Sequence, residues 1–288
     1  MKSTRWSAIA WFVVVLLLCA SATGHAGQEP KGTPPEAPVP AGSGPYKAIM
    51  EMDRGVPGDT IYRPENLSTL DGTRLPIVLW GNGACVNIGN FYAPFLTEIS
   101  SYGYLVVALG PISKLKAQPF PTTPPPSQPV RPPTSLPNFP PPATHPAQLI
   151  TAMNWAIAEN RRPGSKYYQH LDSSKIAVMG HSCGGIQALQ VAADPRITTA
   201  VIWSSGLFPK PTNMGGGKTM SKSNLKLLHS PIAYISGDSE DIAFANSNDD
   251  FNRITSIPAF RGYERGISHG GTYGNRMGVS LRVLQSRG

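Results

Sequence analysis

"IAVMGHSCGG", residues 176–185, decides how this chain is read. It joins a short apolar run, KIAVMG, to a small-residue stretch, CGGIQALQVAA, and Ser182 stands at the junction between Gly180 and Gly184. In a chain with 29 glycines among 288 residues, a GxSxG match alone is weak. Its flanks carry the inference. A buried strand, a sharp turn and a helix are what a nucleophile elbow needs: the glycines let backbones approach closely, and the serine hydroxyl stands exposed at the helix N-terminus. The competing reading is one hydroxyl among many in a chain rich in serine and glycine.

Working outward, apolar runs alternate with helical spacing on both sides. LPIVLWG (75–81) precedes a helix-like 90–101, where Phe91, Phe95 and Ile99 fall four apart, and YLVVALG (104–110) follows. Leu149, Met153, Ala156 and Ile157 share one helix face. Beyond the elbow come TTAVIWSSG (198–206), a helix near 221–229, PIAYISG (231–237), a helix near 247–255 and a last strand at PAFRG (258–262). Short continuous apolar strands alternating with helices predict an α/β domain, its mostly parallel sheet covered by helices on both faces.

Two stretches interrupt that alternation. Residues 27–45 are rich in proline and glycine, and 117–146 hold thirteen prolines in thirty residues. Proline at that density disfavours helix and central strand. The first reads as part of a flexible leader (23–45); the second as an insertion in a domain covering 46–288. At the start, Lys2 and Arg5 precede an apolar run from Ala8 to Ala20 and then small residues. This is the order of a secretory signal peptide, 1–22, cleaved after Ala22 or, alternatively, Ala26. Its apolar run is shorter than the roughly 20 residues a membrane span requires, so no stable membrane insertion is expected after its removal.

Loss of Lys2 and Arg5 takes the formal charge from +8 to +6. No Lys/Arg cluster, zinc-ligand spacing or aromatic RNA-binding motif accompanies that charge, which argues against nucleic acid as a partner. NMGGGKT (213–219) lacks the first glycine of a phosphate-binding loop, and GNG (81–83) does not continue into a dinucleotide fingerprint.

With the elbow and its flanking strands in view, the chain resembles the α/β-hydrolase superfamily. More narrowly it resembles secreted esterases of the dienelactone-hydrolase and polyester-hydrolase (cutinase-like) group, over about 46–280 apart from the insertion. The resemblance implies an α/β-hydrolase fold and a nucleophile, acid and histidine in that chain order. Ser182 is then the nucleophile. GDSEDIAFAN (237–246) offers Asp238, Glu240 and Asp241; the family pattern favours Asp241, with Asp238 as runner-up. His269 is the one histidine downstream of Asp241. His181 is expected to line the pocket, while His25, His145, His170 and His229 read as solvated or structurally satisfied.

Acyl transfer also needs donors for the developing oxyanion. The resemblance supplies the N–H of Cys183 and an amide of LWGNGACVN, either Asn82 or, as alternate, Gly83; Trp80 stands where the family usually has histidine. Outside the signal the only cysteines are Cys85 and Cys183. One lies on the expected oxyanion loop and the other follows the nucleophile, so a disulfide between them is one reading and two buried thiols the other. Trp80, Trp203 and Ser204 are pocket candidates, Trp203 and Ser204 foremost, while Trp80, Phe91, Tyr92, Trp203 and Phe208 are all aromatics with either a pocket or a core role. Together these residues imply an exported serine hydrolase for small or polymeric carboxylic esters, needing no cofactor or metal. An amidase or peptidase with the same triad, or a non-catalytic binding module, is the alternative.

Overall fold

The computed structural model describes residues 41–70, 72–114 and 141–271. The proposed signal peptide, the leader up to residue 40, Asp71, residues 115–140, which hold most of the insertion, and everything from 272 onward lie outside the described residues.

Eight strands form one sheet: β1 (Ala48–Met52), β2 (Asp59–Pro64), β3 (Leu75–Gly81), β4 (Leu105–Leu109), β5 (Leu171–His181), β6 (Thr199–Trp203), β7 (Ile232–Gly237) and β8 (Ala259–Glu264). Their order is β1-β2-β4-β3-β5-β6-β7-β8. β2 runs antiparallel to both neighbours, and every pairing from β4 through β8 is parallel. Around the sheet lie α1 (Ala93–Ser101), α2 (Pro146–Arg161), α3 (Cys183–Val191) and α4 (Phe244–Arg253). Among the described residues no helix is long and apolar enough to cross a membrane.

The alternation along β3 shows how the core is divided. Ile77 and Leu79 pack with Leu149 and Met153 of α2 and with Ile186 and Leu189 of α3. Val78 and Trp80 point the other way, toward Phe95, Leu96 and Ile99 of α1. Both faces are thus covered, as a parallel sheet requires. Each such aliphatic side chain contributes about 1.5–3 kcal/mol on burial.

Two elements differ from the sequence expectation. The helix expected near 221–229 is a 3-10 segment, Lys222–Leu227, in which only Leu225 is buried; without an apolar stripe nothing supports further turns. The proline-rich insertion ends earlier than its composition suggests, since Pro146 opens α2, where its missing N–H costs no helical bond. Ser43 and Gly44, at the end of the assigned leader, and Tyr46, at the start of the assigned domain, hydrogen-bond to α1: Gly44 N–H to Ser101 Oγ at 2.9 Å and Tyr46 N–H to the Ser101 carbonyl at 3.0 Å, with Ser43 on Glu98.

Register fixes where chemistry can gather. Gly81 pairs with Gly180, His181 with Trp203, and Trp203 with Ile235. The loops after β3, β5, β6 and β7 therefore leave the sheet side by side at its carboxyl edge, where parallel α/β sheets place their ligands.

Candidate active site

β5 ends at His181, α3 starts at Cys183, and the single residue between them turns the chain. Ser182 adopts φ 52° and ψ −119°, a backbone conformation that costs a non-glycine residue on the order of 1–3 kcal/mol. Its surroundings hold it there. Ser182 N–H donates to the Trp203 carbonyl at 3.0 Å, and the Ser182 carbonyl accepts from Gly185 N–H at 2.9 Å and the Ser205 hydroxyl at 2.6 Å. A Cβ on Gly180 would collide with the Gly184 carbonyl, and one on Gly184 with the Gly81 carbonyl. Both glycines are therefore demanded by close backbone approach.

Ser182 Oγ lies 2.9 Å from His269 Nε2, and His269 Nδ1 lies 2.7 Å from Asp241 Oδ1. A carboxylate only accepts, so Nδ1 carries the hydrogen and bare Nε2 accepts from the serine hydroxyl. Asp241 is buried, and burial raises its pKa. The His269 hydrogen bond and charge, the Ala243 N–H and the Ser204 hydroxyl outweigh that and hold its carboxyl below the ordinary aspartate range. Asp238 is placed differently: Oδ2 accepts from Gly266 N–H at 2.8 Å and Oδ1 from Glu240 N–H at 3.1 Å. It ties down the loop that carries His269. Glu240 is exposed.

On the loop after β3, Trp80 Nε1–H donates to Asn82 Oδ1 at 3.0 Å, and Asn82 Nδ2 donates to the carbonyls of Val86, Ile88 and Leu109. The Asn82 side chain organises the loop, with Trp80 supplying a ring N–H. Gly83 N–H is engaged by the Tyr92 hydroxyl at 3.1 Å, so the amide expected as the alternate oxyanion donor already has a partner. Cys183 sits in the first turn of α3, whose amides have no partner within the helix. Cys85 and Cys183 form a disulfide with Cα atoms 5.3 Å apart.

Three pocket expectations need correction. Trp80 and Trp203 are fully buried in the core beside α1, where Trp203 packs edge-on against Phe95. Period-2 alternation sends both toward that helix. His181 is also fully buried, next to Ser182 in the chain and with its ring centre 4.8 Å from that of His269. Ser204 does border the cleft, at its polar floor. The cleft, about 170 Å³, opens over Ser182 and His269 and takes apolar walls from Ile186, Phe208, Met214 and Ile242. Of these, sequence reasoning singled out Phe208 alone. Met214 and Ile242 carry no signal, because loop residues enter a wall through tertiary packing. Tyr92, left open between pocket and core, is core with its hydroxyl turned toward His181 at 2.8 Å. Among the described residues no cluster of His, Cys, Asp and Glu is suited to hold a metal.

Comparison with known proteins points to one group. A cutinase of Thermobifida fusca (strain YX) is 26% identical over 208 residues, covering 69% of this chain and 58% of that protein. Cutinase 1 of Thermobifida cellulosilytica is 26% identical over 174 residues, covering 58% of this chain and 54% of its own. Cutinase cut1 of Thermobifida fusca is 25% identical over 208 residues, covering 69% and 55%. The chain thus spans a little more than half the length of these curated relatives. No protein-family model matches it. The chain is similar to cutinases, and its sheet and helices are those of an α/β-hydrolase.

Proposed function

We propose that this protein is an exported serine esterase that cleaves carboxylic esters through an acyl-enzyme. One observation carries the reading: the hydroxyl, imidazole and carboxylate of Ser182, His269 and Asp241 form an unbroken hydrogen-bonded series at the floor of an apolar cleft. A serine hydroxyl is a weak nucleophile unless a base takes its proton as it attacks. His269 Nε2 is placed to do so and then to return the proton to the leaving alcohol. Asp241 fixes the tautomer and stabilises the imidazolium that forms. The developing oxyanion is received by the amides of Cys183 and Asn82. Water repeats the sequence to release the acid. None of these steps calls on a cofactor.

Export is supported by the signal-like first 22 residues and by the disulfide, a bond that persists in oxidising compartments. The relatives' name supports an ester substrate, polymeric esters included. Ser182→Ala is the direct test: it should abolish both p-nitrophenyl ester turnover and labelling by an organophosphonate. A variant that still labels places the nucleophile elsewhere. An anilide cleaved as fast as the ester of the same acyl group would favour an amidase, and release of soluble monomer from a polyester film would extend the substrate class to polymers.

A further inference from the structure

Beneath the cleft runs a second series of hydrogen bonds that acyl transfer does not itself use. Gly83 N–H donates to the Tyr92 oxygen at 3.1 Å, that oxygen lies 2.8 Å from His181 Nδ1, and His181 Nε2 lies 2.9 Å from the main-chain oxygen of His269. The protons fit in one way. A carbonyl oxygen only accepts, so His181 Nε2 carries the hydrogen; bare Nδ1 accepts from the Tyr92 hydroxyl, whose oxygen accepts from Gly83. The ring remains neutral: burial, and then the nearby His269, lower the His181 pKa to about 3.

The series joins four segments. Gly83 is on the oxyanion loop, Tyr92 caps α1, His181 ends β5, and His269 is on the loop after β8. The glycine belongs to it sterically as well. A Cβ on Gly83 would strike the Tyr92 hydroxyl and come within 2.5 Å of His181 Nδ1. Neither Tyr92 nor His181 borders the cleft.

We infer that Tyr92 and His181 are positioning residues, forming a buried relay that holds the oxyanion loop and the main chain of the catalytic histidine in one register. The inference rests on the esterase reading. Its physical weight comes from the steepness of catalysis with geometry: a displacement of about 1 Å in a reacting group costs about a hundredfold in rate, whereas ground-state affinity for the ester depends on the apolar walls. Loss of the relay therefore acts on kcat and leaves KM nearly unchanged.

Four variants test it: His181→Leu, which removes both bonds of the ring; His181→Gln, whose amide N–H can replace the Nε2 donor; Tyr92→Phe; and the double variant Tyr92→Phe/His181→Leu. Rates are normalised to sites titrated by organophosphonate and measured well below each variant's Tm. Expected are a kcat lowered about 30- to 100-fold in His181→Leu, recovery to within about fivefold of wild type in His181→Gln, and a loss of about tenfold in Tyr92→Phe. The double variant should be no slower than His181→Leu, because the two residues act through one series. KM should stay within about threefold throughout. A lowered Tm with unchanged kcat in Tyr92→Phe and His181→Leu, or losses that multiply in the double variant, would overturn the relay. Should His181→Leu fail to fold, Tyr92→Phe and His181→Gln, closer to the native shapes, decide the matter on kcat. Imidazole nitrogen shifts give a readout independent of activity: His181 should show one bare Nδ1 between pH 5 and 9, and titration in that range would also overturn the relay. Failure of the esterase reading looks different, with wild-type protein neither turning over ester nor taking up label.

Discussion

Cys183, the residue after Ser182, is covalently joined to Cys85 of the loop after β3. The bond closes the chain across 98 positions, and a loop of that length corresponds to roughly 4–5 kcal/mol of lost denatured-state entropy in the chain-entropy model. It also unites two of the segments proposed to bind the oxyanion. Cys85→Ala/Cys183→Ala should therefore lower both Tm and kcat, and the native protein should react with thiol reagents at neither position before reduction and at both afterwards. Labelling of two thiols without reductant would remove the constraint from the argument.

The choice of acid can be settled by two neighbouring aspartates. Asp241→Asn keeps the shape but removes the charge that faces His269, and kcat should fall on the order of 10³- to 10⁴-fold. Asp238→Asn alters the acceptor of Gly266 N–H and should leave kcat within about fivefold. Equal losses in both variants would mean that Asp238 acts on the chemistry as well.

Asp59 gives the fold a pH dependence of its own. It is buried beside β4 and accepts from Gly110 N–H at 3.3 Å, and burial raises its pKa from 3.8 to about 6 against the opposing effect of that bond. A raised folded-state value in an acid means that the folded protein holds the proton more tightly than the unfolded chain. Stability from this group is therefore greatest below pH 3.8, declines as pH rises toward 6, and is level above. The loss is on the order of 3 kcal/mol. Asp59→Asn keeps an acceptor toward Gly110 without the buried charge and should raise unfolding free energy at pH 8 but not near pH 3.5, read from urea titrations at both. Asp241 has the opposite sign. Its depressed pKa adds stability above the ordinary aspartate value and loses it as pH falls through the lower folded one.

What the sequence discloses follows from how local each feature is. The elbow is written in one contiguous stretch, because strand, turn glycines and helix adjoin, and His269 stands out as the one histidine after Asp241. Trp80 and Trp203 mislead, since alternation along a strand says that a side chain has a face but not which face meets a cleft; α1 covers theirs. β2 leaves no apolar signature because its buried residues include Asp59, Thr60 and Arg63, satisfied by partners outside their own strand: Gly110 for the first two and Glu51 for Arg63. The Tyr92–His181 contact joins residues 89 positions apart, and no spacing rule reaches that far.

One wall of the cleft depends on a buried ion pair. Lys222 Nζ lies 2.6 Å from Asp250 Oδ1, with side-chain exposures of 9% and 0%, while Asp250 Oδ2 accepts from Leu207 N–H at 2.7 Å and from the Tyr234 hydroxyl at 3.3 Å. Leu207 directly precedes Phe208, so this carboxylate fixes the segment that lines the cleft. Lys222→Met removes the cation and leaves a carboxylate buried without its counter-charge, a change that typically costs about 3–5 kcal/mol. Urea denaturation at pH 7 should show that loss. Adding Asp250→Asn to Lys222→Met should recover much of it, because a neutral amide still accepts from Leu207 and needs no counter-charge. In the single variant KM for a bulky acyl ester should rise more than for acetate, as Phe208 loses its anchored backbone. A single variant as stable as wild type, with an unaltered preference between the two esters, would show that solvent screens this pair and that the wall is held by packing alone.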